Sequence, residues 1–245
     1  MKRFYKNAQI VSGAHGHGVT LDAKPLRTPA KAELLVPSRA LAEAIAAEWH
    51  GQGADISVQA MPLTRLASAA IDLVAARRDA VTAETANYAG TDLVCYRASR
   101  PPELARRQQA AWQPLLDWAR DRYDAPLSVT TGIAPVTQPP ASLAALHAAV
   151  AAHEPMTLAA LRLATAASGS LVIALALLER RLDAVAAFAA AEIDESYEIE
   201  NWGEDPEQTK RRAGLRDDLL LAERFVSLLT SSFETPASPA PQDED

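Results

Sequence analysis

Apolar and polar positions follow two different periods along this chain. In the first forty residues, short β-type runs at 3–11, 17–22 and 32–36 carry Phe4, Tyr5, Ile10, Val11, Val19, Leu21, Leu34, Leu35 and Val36. Gly13, Gly16, Gly18, Pro25, Pro29 and Pro37 punctuate them, which predicts a small antiparallel sheet. Leu41, Ile45 and Trp49 then recur every four residues behind Ser38, so the pattern predicts an amphipathic helix over 39–50, capped by Ser38 and closed by Gly51 and Gly53. Ile56–Val58 is expected to return as a strand.

From Pro62 onward the period is helical. Leu63, Leu66, Ala70, Leu73 and Val74 share a face that ends near Arg77 and Arg78, and Asp79 is placed to cap a following helix through Tyr88. Asp92–Tyr96 reads as a short buried segment, strand or extended. A long helix should open at Pro101-Pro102-Glu103 and run past Trp112 and Trp118 to Tyr123, with a kink or break at Pro114. Residues 124–140 read as loop with one further strand within 127–133, and helices follow at about 141–153, 157–167, 170–181, 183–200 and 206–231. The fold class expected is α+β, with a β-rich N-terminal domain over 1–60, a larger all-helical domain over 61–232, and a disordered, Pro-, Ser- and acid-rich tail over 233–245.

Composition narrows the class. The 245 residues include 52 alanines, which suit closely packed helices because alanine loses no side-chain entropy on entering one. Cys95 is the single cysteine, so no internal disulfide framework exists and a reducing compartment is expected. The net charge of −7 argues against a nucleic-acid partner, whose phosphates call for lysine and arginine. That charge is unevenly placed: residues 1–127 carry +3 and residues 128–245 carry −10. The longest uncharged run, between Arg162 and Glu179, is short and contains Thr165, Ser168 and Ser170, so a buried helix is expected rather than membrane insertion. The basic start lacks the apolar stretch of a signal peptide.

Catalytic motifs are missing: there is no phosphate loop, no nucleophile elbow and no zinc-binding helix signature. Ser168-Gly169-Ser170 reads as a tight interhelical turn with Ser170 as cap. His15 and His17 read as solvated hairpin residues without further metal ligands, and Cys95 reads as a small buried residue. The feature above background is acidic. Glu192, Asp194, Glu195, Glu198, Glu200, Glu204, Asp205 and Glu207 fall within sixteen positions that contain no basic residue, and Trp202-Gly203 interrupts the helical pattern among them. A solvated helix face explains such a cluster; a protein-binding surface, with an aromatic anchor ringed by charge, explains it as well.

Several strings taken together resemble one family: Arg3-Phe4-Tyr5-Lys6, Val19-Thr20-Leu21-Asp22, Leu26-Arg27-Thr28-Pro29-Ala30, the helix from Leu41 to Trp49, Met61-Pro62-Leu63-Thr64-Arg65-Leu66, Thr91-Asp92-Leu93-Val94-Cys95-Tyr96-Arg97-Ala98, Trp112-x-Pro114-Leu115-Leu116-x-Trp118, Ser168-Gly169-Ser170-Leu171, Asp194-Glu195-Ser196-Tyr197 and Trp202-Gly203-Glu204. The ordered set, from about residue 3 to 231, is similar to the assembly chaperones of F-type ATP synthase that attend the alpha subunit of the catalytic head.

The resemblance implies a protein without catalytic residues, cofactor, metal or small-molecule ligand. It would bind the free alpha subunit transiently, shield its beta-facing interface, and release it as the hexamer forms. Carried onto this sequence, the family's acidic segment falls on Glu195, Glu198, Glu200 and Glu204 with Trp202 as anchor, while Trp49, Asp92 and Trp112 are expected to be structural. A bacterial cytoplasmic member is implied, eukaryotic relatives being in the mitochondrial matrix. The alternative is a small-molecule enzyme that uses the carboxylates of 192–207, with His153 as base; it requires a concave apolar pocket lined by those groups.

Overall fold

A computed structural model describes residues 1–231. The tail expected over 233–245 lies outside the described residues. The fold is α+β: a small strand region near the N-terminus, then a run of helices. β1 (Ala8–Gly13) and β2 (Gly16–Leu21) form an antiparallel hairpin in which Ala8 faces Leu21 and Gly13 faces Gly16. β2 also pairs with β3 (Lys24–Pro25) and β4 (Leu35–Val36), so it is the central strand. Residues 3–7, expected within the first strand, lead into it without joining the ladder.

Helix α1 (Arg39–His50) covers the sheet through Leu41, Ile45 and Trp49, all buried, as its four-residue spacing requires. Ser38 caps it, accepting from the Leu41 N–H, and the same hydroxyl donates to the Leu228 carbonyl at 2.6 Å. The expected strand at Ile56–Val58 does not form: Lys2 bridges Asp55, and Val58–Ala60 winds into a 3₁₀ turn.

Helix α2 (Pro62–Ala69) passes into a single π-type turn at Ala70–Val74, and α3 (Arg78–Ala86) follows. Asp79 lies inside the first turn of α3 and does not cap it; the N-cap is Arg77, without a side-chain bond. α3 ends before Tyr88 in a 3₁₀ turn over Asn87–Thr91. A second such turn, Leu93–Cys95, takes the place of the expected extended segment and leads into β5 (Tyr96–Arg97).

Helix α4 (Pro102–Tyr123) runs unbroken through Pro114. Pro114 and Ala110, whose carbonyl loses its donor, are both exposed, so the missing bond falls on the solvent side. Of the strand expected within 127–133, only β6 (Thr130–Thr131) forms; it pairs in parallel with β5 and places a short ladder inside the otherwise helical part. Helices α5 (Pro140–Ala151), α6 (Pro155–Ser168) and α7 (Leu171–Leu178) follow. Gly169 adopts a φ of 67° to end α6, and Ser170 caps α7 by accepting from the Ile173 N–H. All eight residues of α7 are buried.

The helix expected over 183–200 is two, α8 (Ala184–Ala191) and α9 (Ile193–Trp202), broken at Glu192. α10 (Pro206–Thr230) then packs across α6 and α8. One hydrophobic cluster extends from Tyr5 to Val226 and so includes residues of the sheet, α1 and the helices beyond. No described helix is long and apolar enough to cross a membrane.

Candidate functional site: the acidic turn between α9 and α10

Gly203, at φ 88°, terminates α9, and the Asp205 carboxylate restarts the chain as α10 by accepting from the Glu207 and Gln208 N–H groups at 2.8 and 2.9 Å. The eight acids of this region therefore occupy a helix, a sharp turn and a helix start. They divide by what they touch.

Three are tied to the scaffold. Glu192 is buried and receives Arg212 Nε at 3.1 Å, with Arg211 at 3.6 Å. Asp194 accepts from the Gln108 side chain at 2.6 Å, and Gln108 is buried in α4. Glu195 accepts from Gln208 at 2.5 Å and lies 3.0 Å from Arg211; the Gln208 bond, helped by Arg211, holds its carboxyl below the usual range. Glu200 meets Arg107 at 2.7 Å on the surface, and the same guanidinium sits over the Tyr197 ring and reaches Glu103 at 3.2 Å. Asp205 is the helix cap.

Glu198, Glu204 and Glu207 remain. They are exposed, and their carboxylates have no hydrogen bond or ion pair among the described residues. Between them stands Trp202, 76% exposed. Of the five residues assigned to partner binding, Glu198, Glu200, Trp202 and Glu204 thus present themselves at the surface, whereas Glu195 turns toward α10. The sequence reading missed Arg107, Arg211 and Arg212, which come from α4 and α10 to pair with three of the eight acids, and Gln108, which donates a hydrogen bond to a fourth. The signal for two of them was present, because Lys210-Arg211-Arg212 follows Glu207 closely enough to return one turn of helix later.

The residues assigned structural roles lie deep in the molecule. Trp49 is buried and its carbonyl accepts from the Tyr5 hydroxyl at 2.6 Å. Trp112 is fully buried, donates through its indole N–H to the Ala190 carbonyl at 2.7 Å, and carries the Arg97 guanidinium over its ring at 5.0 Å. Asp92 is fully buried; its carboxylate accepts from Val94 at 3.2 Å and Val172 at 3.1 Å, joining the 3₁₀ turn to the start of α7. Burial pushes its carboxyl up to about 6, against the hydrogen bonds that pull the other way. Cys95 is buried beside it, and desolvation raises its thiol to about 12, so it is not a reactive thiolate.

The pocket that the enzyme alternative calls for is not the groove found beside α9. The apolar groove beside it is lined by Ile193, Ser196 and alanines of α4 and α8, but by none of the carboxylates. His153 stands at the end of α5, its carbonyl held by Arg78 at 3.1 Å and its ring depressed by burial; the charge it feels is Glu179, not an acid of 192–207. Among the described residues no group of His, Cys, Asp and Glu has a metal-binding arrangement.

The chain matches known proteins over most of its length. The family model described as ATP12 chaperone protein matches residues 2–120. The crystal structure of Atp12 from Paracoccus denitrificans is 43% identical, with a TM-score of 0.90 over 93% of this chain and 98% of that one. An Asp-to-Lys mutant of the same P. denitrificans protein gives 42% identity and a TM-score of 0.90, covering 93% of this chain and 97% of that one. A putative chaperone from Agrobacterium tumefaciens, Atu1473, is 38% identical at a TM-score of 0.87, with 93% of this chain and 86% of that one covered. At this identity and coverage the chain belongs to the ATP12 family of ATP synthase assembly chaperones.

Proposed function

We propose that this protein holds the free alpha subunit of the F-type ATP synthase head through the surface around Trp202, covers the face that will meet the beta subunit, and gives it up as the hexamer forms. It acts without catalysis and without a cofactor, in the bacterial cytoplasm. An unassembled subunit of an obligate ring exposes apolar interface that aggregates unless covered. A holder of such a subunit must associate quickly and still be displaced by the permanent partner. Peripheral charge serves both needs, since it raises association rates more than it deepens affinity.

The observation that supports this reading most directly is the sorting of the acids. Five of eight are committed to the scaffold or to its surface bridges, and the three without partners surround an indole that is 76% exposed. An exposed tryptophan is costly to leave in water and is the residue type most enriched among interface anchors. The test is aggregation of isolated alpha subunit, followed by light scattering with the wild-type protein and with Glu198→Lys/Glu204→Lys. The wild type should suppress scattering and the folded double variant should not.

A further inference from the structure

A groove of about 780 Å³ lies away from α9, between α2 and α10 over a floor of α6. Its apolar lining includes Leu66, Leu163 and Leu221. Three guanidiniums border it, Arg65 from α2, Arg162 from α6 and Arg224 from α10; all three residues are exposed, and none is within salt-bridge distance of a carboxylate among the described residues. Two carboxylates, Asp217 and Asp218, share the wall, and burial lifts Asp218 above the usual carboxylate range against the opposing charge of Arg65, with a smaller push from Asp217. Three cations against two acids leave the groove net positive on a protein whose net charge is −7.

Gly214 makes the groove more than a packing gap. It lies inside α10, where glycine is a poor helix former, and a Cβ placed on it would meet no atom within 4 Å. Nothing among the described residues therefore requires a glycine there; the space its missing side chain leaves is groove. From Gly214 to Arg224 the wall spans eleven residues, about 15 Å at the helical rise, which is close to three turns of a docked helix.

We propose that this groove is a second docking site, taking a short amphipathic segment of the client that carries acidic side chains. Its apolar face would meet the three leucines, its backbone would approach at Gly214, and its carboxylates would pair with Arg65, Arg162 and Arg224. Naming the alpha subunit as that client rests on the function proposed above. A second copy of this chain is a poorer occupant, because a two-fold contact would bring together two surfaces with the same excess of positive charge.

The test measures the affinity of immobilised alpha subunit for full-length protein bearing Gly214→Trp, which fills the groove, or Arg162→Glu/Arg224→Glu, which reverses its charge. Lys24→Glu/Arg27→Glu, on the sheet, serves as the charge-matched comparison. Both groove variants should bind at least tenfold more weakly while the sheet variant stays within threefold, all three keeping wild-type circular dichroism. Wild-type affinity in a folded groove variant, with binding still lost in Glu198→Lys/Glu204→Lys, would overturn the groove and leave the α9 surface standing. No binding by the wild type would overturn both. Removal of residues 233–245 should leave the affinity unchanged; tighter binding that Gly214→Trp cancels would make the chain's own acidic end the occupant and refute the assignment. A wild-type dimer that Gly214→Trp splits would refute it in favour of a second copy.

Discussion

Gln208 donates its side-chain amide to Glu195 Oε1 across the turn between α9 and α10, at 2.5 Å, and Arg211 approaches the same carboxylate at 3.0 Å. The two helices are thereby held at a fixed angle behind Trp202. Glu195→Ala removes the acceptor from both donors and should lower stability by about 1 kcal/mol, the net worth of one such bond at a partly exposed site. Urea denaturation followed by circular dichroism measures this. Glu198→Ala, which breaks no contact, should stay within about 0.5 kcal/mol of the wild type.

Trp202 should be dispensable to the fold and needed by the partner. Trp202→Ala is expected to leave the melting temperature unchanged, because the side chain is 76% exposed, and to weaken alpha-subunit binding by about 2 kcal/mol, as truncated interface anchors do. Unchanged binding would remove Trp202 from the contact.

Asp92 should write its burial into the pH dependence of stability. Its carboxyl titrates at about 6 when folded and near 3.8 when unfolded, so between those values the folded state binds the extra proton. The stabilisation is complete below the unfolded value and is lost as pH rises through the folded one, about 3 kcal/mol over the interval. Asp92→Asn should flatten that slope between about pH 4 and 6. It should also destabilise the protein at low pH, because the amide nitrogen cannot accept a hydrogen bond, whereas both oxygens of the carboxyl group face the Val94 and Val172 N–H donors. An equal slope in both proteins by urea titration across that range would refute the assignment.

Trp112 joins α4 to α8 through its bond to the Ala190 carbonyl. Trp112→Phe keeps much of the volume but leaves that carbonyl without its indole donor and Arg97 with a weaker aromatic platform. A loss of about 2 to 3 kcal/mol in urea denaturation is expected.

Much of this architecture is written in local pattern. Leu41, Ile45 and Trp49 specify α1 because one face of one helix meets one sheet, and Ser170 caps α7 because a hydroxyl before an apolar run has few other uses. The misses share a cause. Glu192 breaks the expected helix at 183–200 without glycine or proline; it carries no turn chemistry of its own and is stabilised there by Arg212, twenty residues on. Residues 93–95 coil into a 3₁₀ turn because the buried Asp92 draws donors from Val94 and from the start of α7. The same distance effect governs the site. That the acids of 192–207 cluster is plain in the sequence, but which of them are free depends on Arg107 and Gln108, some ninety residues upstream.

The central claim is that the unpaired acids beside Trp202 hold the alpha subunit. The most direct measurement is the association rate of Glu198→Lys/Glu204→Lys with immobilised alpha subunit at two ionic strengths, beside the wild type. The wild-type rate should fall as salt rises, and the variant, with unchanged stability, should associate at least tenfold more slowly at low salt and lose most of that salt dependence. A folded variant that associates at the wild-type rate, with the same response to salt, would contradict the account.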